Sequence, residues 1–181
     1  MKIHIETERL IIRSFKNSDY KKVAEACNEP DLAKMTLGIP IPYTEQNAKD
    51  WIAKVKINEK EGISYELAVC FKDKPNHVIG SVAIIDIKKR AQRGEIGYWI
   101  NKNFWGQGIA TEAAKAIINF GFNTLNLHSI IARHFEHNPA SGRVMQKCGM
   151  RYAGMLREHE SRFDTFFNVV YYDLLKSEFT Y

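Results

Sequence analysis

Apolar residues along this chain change period repeatedly, and the changes mark out alternating strands and helices. Runs rich in β-branched and aromatic residues predict strands at Leu10–Arg13, Tyr65–Phe71, residues 78–87, residues 95–100, Ser129–Phe135, residues 151–156 and residues 166–175. Asn17 or Ser18 caps a helix reaching to about residue 27. Thr44 opens another, in which Ala48, Trp51, Ile52 and Val55 follow helical spacing until Gly62 stops it. Two more helices are predicted over residues 109–122 and 139–148, the second with Pro139 in its first turn and Gly149 just past its end. Pro40 and Pro42 mark a bend, and Asp73-Lys74-Pro75-Asn76 a turn between strands. No repeat, linker or low-complexity tract interrupts the alternation. The expectation is one α/β domain over residues 1–181, built on a mixed sheet.

Composition narrows this only slightly. A chain of 181 residues, 45% of them hydrophobic, suffices for one well-filled domain and is short for two. No apolar run approaches the ~20 residues of a membrane helix. Met1-Lys2-Ile3-His4-Ile5-Glu6 alternates polar and apolar residues and lacks a signal-peptide core. Cys27, Cys70 and Cys148 are odd in number and widely spaced, which suits a reducing compartment and gives no disulfide or zinc framework. A cytoplasmic location is expected. The formal charge of +5 implies mild attraction to anions. Its compact basic cluster, Lys88-Lys89-Arg90 with Arg93, lies between two predicted strands and reads as a solvated hairpin rather than a nucleic-acid patch.

Candidate chemistry centres on Phe104-Trp105-Gly106-Gln107-Gly108-Ile109-Ala110-Thr111-Glu112-Ala113, between the strand at 95–100 and the helix at 109–122. A glycine-spaced turn feeding a helix N-terminus concentrates unpaired N–H groups and the positive end of the helix dipole, a site suited to a phosphate or pyrophosphate. A nucleotide triphosphate loop would end in Gly-Lys-Ser or Gly-Lys-Thr, whereas Gly108 precedes Ile109-Ala110. A dinucleotide loop would place a third glycine where Thr111 stands.

A second motif, Asn138-Pro139-Ala140-Ser141 with Lys147-Cys148-Gly149-Met150, lies downstream. These segments, with Glu95-Ile96-Gly97-Tyr98-Trp99 and Thr7-Glu8-Arg9-Leu10-Ile11-Ile12-Arg13, together resemble the GNAT N-acetyltransferase superfamily, in its RimJ/RimL-type branch. The resemblance implies a mostly antiparallel mixed sheet of about seven strands flanked by helices. It also implies splaying between the fourth and fifth strands, here 95–100 and Ser129–Phe135, with acetyl-CoA in the opening. By resemblance, Trp99 and Ile100 would pair with the pantetheine amides. Trp105, Gly106, Gln107, Gly108, Ile109, Ala110 and Thr111 would cradle the pyrophosphate, Asn138 and Ser141 would contact the pantetheine arm and thiol, and Arg143 and Lys147 would reach phosphates. Asn103, Gln146 and Met150 depart from the usual family residues, which touches side-chain contributions and helix-end packing more than the backbone cradle.

The implied activity is acetyl transfer from acetyl-CoA to a primary amine, either a protein N-terminal α-amine or a small-molecule amine, by direct attack in a ternary complex. The alternative is a non-catalytic acyl-CoA-binding module. Glu95 stands where the superfamily often places a general base, but a strand-end carboxylate paired with Arg93 or a lysine fits as well. Ser141 would donate a proton to the departing sulfur, or be a hydroxyl bonded within its own helical turn. Glu112 reads as a brace of the glycine loop. Tyr98 and Trp99 read as core or cofactor-wall aromatics, and Tyr171 and Tyr172 as strand residues, although related enzymes place a proton-donating tyrosine near the thiol. His134 and His137 flank Glu136 without a third and fourth ligand, so exposed strand-end residues are expected and no metal. Glu158, Glu160 and Asp164 are either hairpin charges or attractors of a cationic amine. The resemblance also allows a homodimer.

Overall fold

The computed structural model describes residues 3–180, so Met1 and Lys2 of the alternating N-terminal stretch lie outside the described residues. Among these residues, eight strands form one open sheet: β1 (His4–Glu6), β2 (Leu10–Arg13), β3 (Tyr65–Phe71), β4 (Val78–Lys88), β5 (Arg93–Ile100), β6 (Ser129–Phe135), β7 (Arg151–Arg162) and β8 (Thr165–Leu175). Their spatial order is β1-β2-β3-β4-β5-β6-β8-β7, and every neighbouring pair is antiparallel except β5 with β6. The strand beyond the seven expected is β1, three residues long and paired Ile5 to Ile12 on the sheet edge. The two strands expected to splay are thus β5 and β6.

Among the described residues, five α-helices cover the faces: α1 (Tyr20–Cys27), α2 (Pro30–Lys34), α3 (Glu45–Glu61), α4 (Ile109–Asn123) and α5 (Pro139–Lys147). Thr44 caps α3 by accepting from the Asn47 N–H, and Gly62 ends that helix at φ 67°. On one face, α4 lays Ala113, Ile117 and Phe120 against Leu67, Val82, Ile84 and Ile96. On the other, Val23 of α1 and Ala48, Ile52 and Val55 of α3 pack with Ala68 and Cys70. The sheet therefore separates two apolar layers. The small α2 was not predicted: with Glu29 capping Asp31 and Pro30 at its first position, its five residues are too few to carry a periodic pattern.

The β7–β8 hairpin runs farther than its apolar residues suggest, because β7 is mostly solvent-exposed along its length and offers no buried alternation to read. Phe163 and Asp164 turn it, both at positive φ. Phenylalanine is a poor signal for such a turn.

Close approach of two strands governs the region next to the opening. Gly80 pairs with Ile100, and a Cβ there would stand 2.5 Å from the Trp99 carbonyl oxygen. Backbone cannot yield as a side-chain tip can. Gly80→Ala is expected to destabilise the fold by about 1–3 kcal/mol. Urea unfolding should show a lower midpoint at unchanged slope; an unshifted midpoint would mean that β4 and β5 have room to part.

Candidate active site

β5 and β6 run side by side only from Arg93–Ser129 to Ile96–Ala132. Beyond that point each keeps its outer partner: β5 pairs with β4 as far as Ile100–Gly80, and β6 pairs with β8 as far as Phe135–Val169. Each half of the sheet stays intact while the seam between them opens. The inner edges of residues 97–100 and 133–135 lose their strand partners, and buried backbone groups require others. A cavity of about 750 Å³ occupies the opening and extends to both faces of the sheet.

One wall is the glycine turn. Gly106 and Gly108 adopt φ 75° and 78°, a region that disfavours side chains, and Gly108 is the N-cap of α4 without any side-chain cap. The first N–H groups of α4 are therefore free of a capping side chain, beside the positive helix end. Trp105, Gly106, Gly108, Ile109, Ala110 and Thr111 all line the cavity. Gln107 does not, since its side chain turns back to the Asn103 carbonyl at 3.2 Å. Trp105 donates its indole N–H to the Ile100 carbonyl at 2.6 Å, so it fixes the end of β5 as well as lining the opening.

Glu112 braces this turn from the first turn of α4. It accepts from Thr7 Oγ1 (2.6 Å), from the Arg9 N–H (2.8 Å) and from Arg9 Nε (2.7 Å). Arg9 in turn donates to the Gln107 carbonyl at 3.0 Å. The Thr7-Glu8-Arg9 segment, part of one of the motifs that carry the family resemblance, thus holds the glycine turn in place. Burial opposes ionisation of Glu112, but the bonds from Thr7 and Arg9 outweigh it and hold the carboxyl below its ordinary value.

The opposite wall is α5. Asn138 caps it by accepting from the Ser141 N–H at 3.3 Å, and its amide N–H donates to the Met35 carbonyl at 3.4 Å. Ser141 Oγ lies 2.9 Å from the Tyr98 hydroxyl, which also donates to the Ser141 carbonyl at 3.0 Å. The serine hydroxyl is therefore paired across to β5 rather than within its own turn. Burial pushes the Tyr98 phenol well above its ordinary value, against the opposing bond to Ser141, so the phenol remains a proton donor. Sequence reasoning left Tyr98 among the wall aromatics, because nothing in the spacing links residue 98 to residue 141. Arg143 and Lys147 line the cavity and make no ion pair among the described residues. Trp99, Ile100 and Asn138 also line it.

Glu95 lines the cavity too, but its partner is neither Arg93 nor a lysine. Arg133 of β6 donates to Glu95 Oε1 at 2.9 Å and also binds Glu160 of β7. Arg93 instead sits 3.6 Å from Asp86. Burial works against the charge on Arg133, yet its bonds to Glu95 and Glu160 raise its pKa further. Glu160 is thus a partner of Arg133, whereas Glu158 is exposed and Asp164 sits in the hairpin turn.

Tyr171, Tyr172 and His137 pack against neighbouring rings, and His134 also lines the cavity. Tyr172 accepts from Gln146 Nε2 at 3.1 Å and stacks on His134; Tyr171 meets His159 edge-on. His134 is half-buried instead of exposed, and exposed His137 stacks on Phe135. Among the described residues, no group of three or more His, Cys, Asp or Glu side chains is arranged to hold a metal ion, and no helix is long and apolar enough to cross a membrane. Cys27 lines the cavity, but burial pushes its thiol up to about 12.

These features coincide with a family match. The model of the acetyltransferase (GNAT) domain matches residues 9–151. The chain belongs to the GNAT acetyltransferase family. It is 33% identical over 177 residues to the N-acetyltransferase YnaD of Bacillus subtilis, covering 97% of this chain and 99% of that one. Its fold is similar to the crystal structure of a GNAT-family acetyltransferase from Bacillus anthracis, with a TM-score of 0.85, 29% identity, and 97% and 100% of the two chains covered. RimL, a ribosomal L7/L12 alpha-N-protein acetyltransferase solved with coenzyme A, shares the fold at a TM-score of 0.87 and 16% identity, over 96% and 98% of the chains. The protein is a GNAT N-acetyltransferase that uses acetyl-CoA.

Removing the charge on Glu112 tests the brace. Glu112→Gln should lose about 1–3 kcal/mol of stability at neutral pH. A carboxyl held low in the folded state stabilises above its unfolded value and loses that contribution as pH falls through the folded one. The gap between wild type and variant in urea unfolding should therefore shrink below the ordinary value of 4.5. A gap that persists in acid would mean that the charge contributes nothing.

Proposed function

We propose that this enzyme acetylates a primary amine by direct transfer within a ternary complex, with a protein N-terminal α-amine or a small-molecule amine as acceptor. The observation that carries this reading is the convergence of the glycine turn, Ser141 and Glu95 on one opening between β5 and β6. The donor supplies a thioester carbonyl for attack and a thiol as leaving group. Backbone N–H groups of the glycine turn and the first turn of α4 would hold its pyrophosphate, with Arg143 and Lys147 as adjacent cations. The free inner edge of residues 97–100 offers hydrogen bonds to the pantetheine arm.

Ser141, with Tyr98 behind it, holds a proton for the departing sulfur. Glu95 takes up the amine proton through water: Arg133 fixes its Oε1, and Oε2 has no hydrogen-bond partner among the described residues. An α-amine titrates at about 7.7–8.0, against about 10.4 for a lysine, so an N-terminal acceptor asks less of that base. The protonated thiol of Cys27 argues against a covalent acetyl-cysteine route and for direct transfer. Likeness to RimL motivates the protein acceptor; the aromatic side chains of Tyr43, Trp51 and Trp99 along the cavity favour the small-molecule one.

A Glu95→Gln, Ser141→Ala double variant should lose turnover by roughly 10²–10⁴-fold, since each group handles a proton. Calorimetry should show acetyl-CoA binding retained. Normal turnover in the double variant would remove both roles. Loss of binding together with turnover would make them cofactor contacts instead.

A further inference from the structure

Tyr98 and Ser141 face each other across the opening, one on β5 and the other in the first turn of α5. The Tyr98 phenol carries a single hydrogen and has two acceptors within reach, the Ser141 carbonyl at 3.0 Å and Ser141 Oγ at 2.9 Å. It serves one at a time, which defines two arrangements of the pair. In the first, Tyr98 donates to the carbonyl and its oxygen accepts from the Ser141 hydroxyl, so the serine hydrogen is turned toward Tyr98. In the second, Tyr98 donates to Ser141 Oγ, and the serine hydrogen is released toward the opening.

Little else in the pair is free to change. The cap of α5 fixes the Ser141 backbone, whose N–H donates to the Asn138 carbonyl at 3.2 Å and to Asn138 Oδ1 at 3.3 Å. The Ser141 carbonyl lies inside α5, where the N–H four residues on serves it. The bond from Tyr98 is therefore a second one, and losing it leaves no acceptor unpaired. Ionisation of the phenol does not enter: burial holds its pKa well above the ordinary value, against the opposing bond to Ser141. What remains is the direction of two O–H bonds. Two hydroxyls in series polarise one another, so the outer one is a stronger donor than a lone serine.

We infer that Tyr98 is the positioning residue for Ser141. In the free protein it keeps the serine hydrogen turned away from the opening. When a sulfur gaining negative charge lies beside Oγ, Tyr98 turns its own hydrogen to Oγ and frees the serine hydrogen for that sulfur. This rests on the acetyl-transfer reading of the same cavity. Tyr98 neither gains nor loses a proton; only the directions of the two hydroxyl hydrogens differ. An intact thioester sulfur is uncharged and draws no such bond, so the serine hydrogen is presented as the C–S bond breaks and its electron pair moves to sulfur.

The test uses CoA and desulfo-CoA, which share every phosphate and pantetheine contact, those of Arg143 and Lys147 included, and differ in the sulfur. At about pH 8.5, where about half of an ordinary thiol is ionised, calorimetry should show wild type binding CoA roughly tenfold tighter, one hydrogen bond to a charged group. Tyr98→Phe buries the same ring without the hydroxyl, and Ser141 then bonds to the carbonyls of its own turn, so the fold should persist. The ratio should fall to within about twofold in this variant and in Ser141→Ala, with desulfo-CoA binding unchanged. No preference in wild type, or the same preference in Tyr98→Phe, would overturn the inference. Equal weakening of both ligands would overturn it as well, because a displaced cavity wall affects both.

Turnover gives an independent reading. Tyr98→Phe should lower kcat roughly 10- to 100-fold, with KM for acetyl-CoA within about threefold. Added to Ser141→Ala, it should cost nothing further, since the tyrosine acts only through the serine. Additive losses would give Tyr98 a separate role and overturn the assignment. A wild type that turns over no amine would sink the acetyl-transfer reading, while the CoA to desulfo-CoA ratio still decides the role of Tyr98.

Discussion

Everything at the site depends on β5 and β6 pairing for four residues and then parting. A parallel pair has no turn joining its strands, so divergence leaves the connectivity untouched. What keeps the sheet whole is that each strand remains hydrogen-bonded on its outer side, β5 to β4 and β6 to β8. The seam is thereby converted from a ladder into a cleft with free backbone edges. α4 and α5 follow directly after β5 and β6, so their N-termini, the glycine turn and the Asn138 cap, arrive at the cleft by connectivity alone. Trp105 closes over the Ile100 carbonyl, and Arg133 spans from β6 to Glu95 on β5. The opening is thus both propped and bridged.

Charge is arranged around the cleft by the same logic. The glycine turn is electropositive through backbone groups, with Arg143 and Lys147 nearby, which suits the phosphates of a CoA thioester. On the α1–α3 side of the sheet Glu66, Glu95 and Glu160 are carboxylates, and Arg133 binds the last two. Glu66 stands apart from that network.

Much of this was legible in the sequence because it is local. The period changes gave the strands from Leu10 onward, Thr44 and Gly62 gave the bounds of α3, and the glycine turn and Asn138-Pro139 announced two helix N-termini. The match of the family model and the relatives agrees with the resemblance carried by those motifs. What stayed hidden was long-range pairing. Neither the bond between Tyr98 and Ser141 nor that between Arg133 and Glu95 leaves a trace in spacing, because each joins residues on separate elements. Glu66 belongs to no motif, and only the register of β3, β4 and β5 brings it into line with Gly97. Edge strand β1 and the outer part of β7, residues 157–162, escaped for a related reason, since burial on one face is what creates a readable alternation.

The central claim is that the gap between β5 and β6 is where acetyl-CoA lies. Amide hydrogen exchange with and without acetyl-CoA tests it residue by residue. The account predicts new protection concentrated at residues 97–100, at 106–112 and at the start of α5. Protection confined to another part of the molecule, or none at saturating acetyl-CoA, would contradict it.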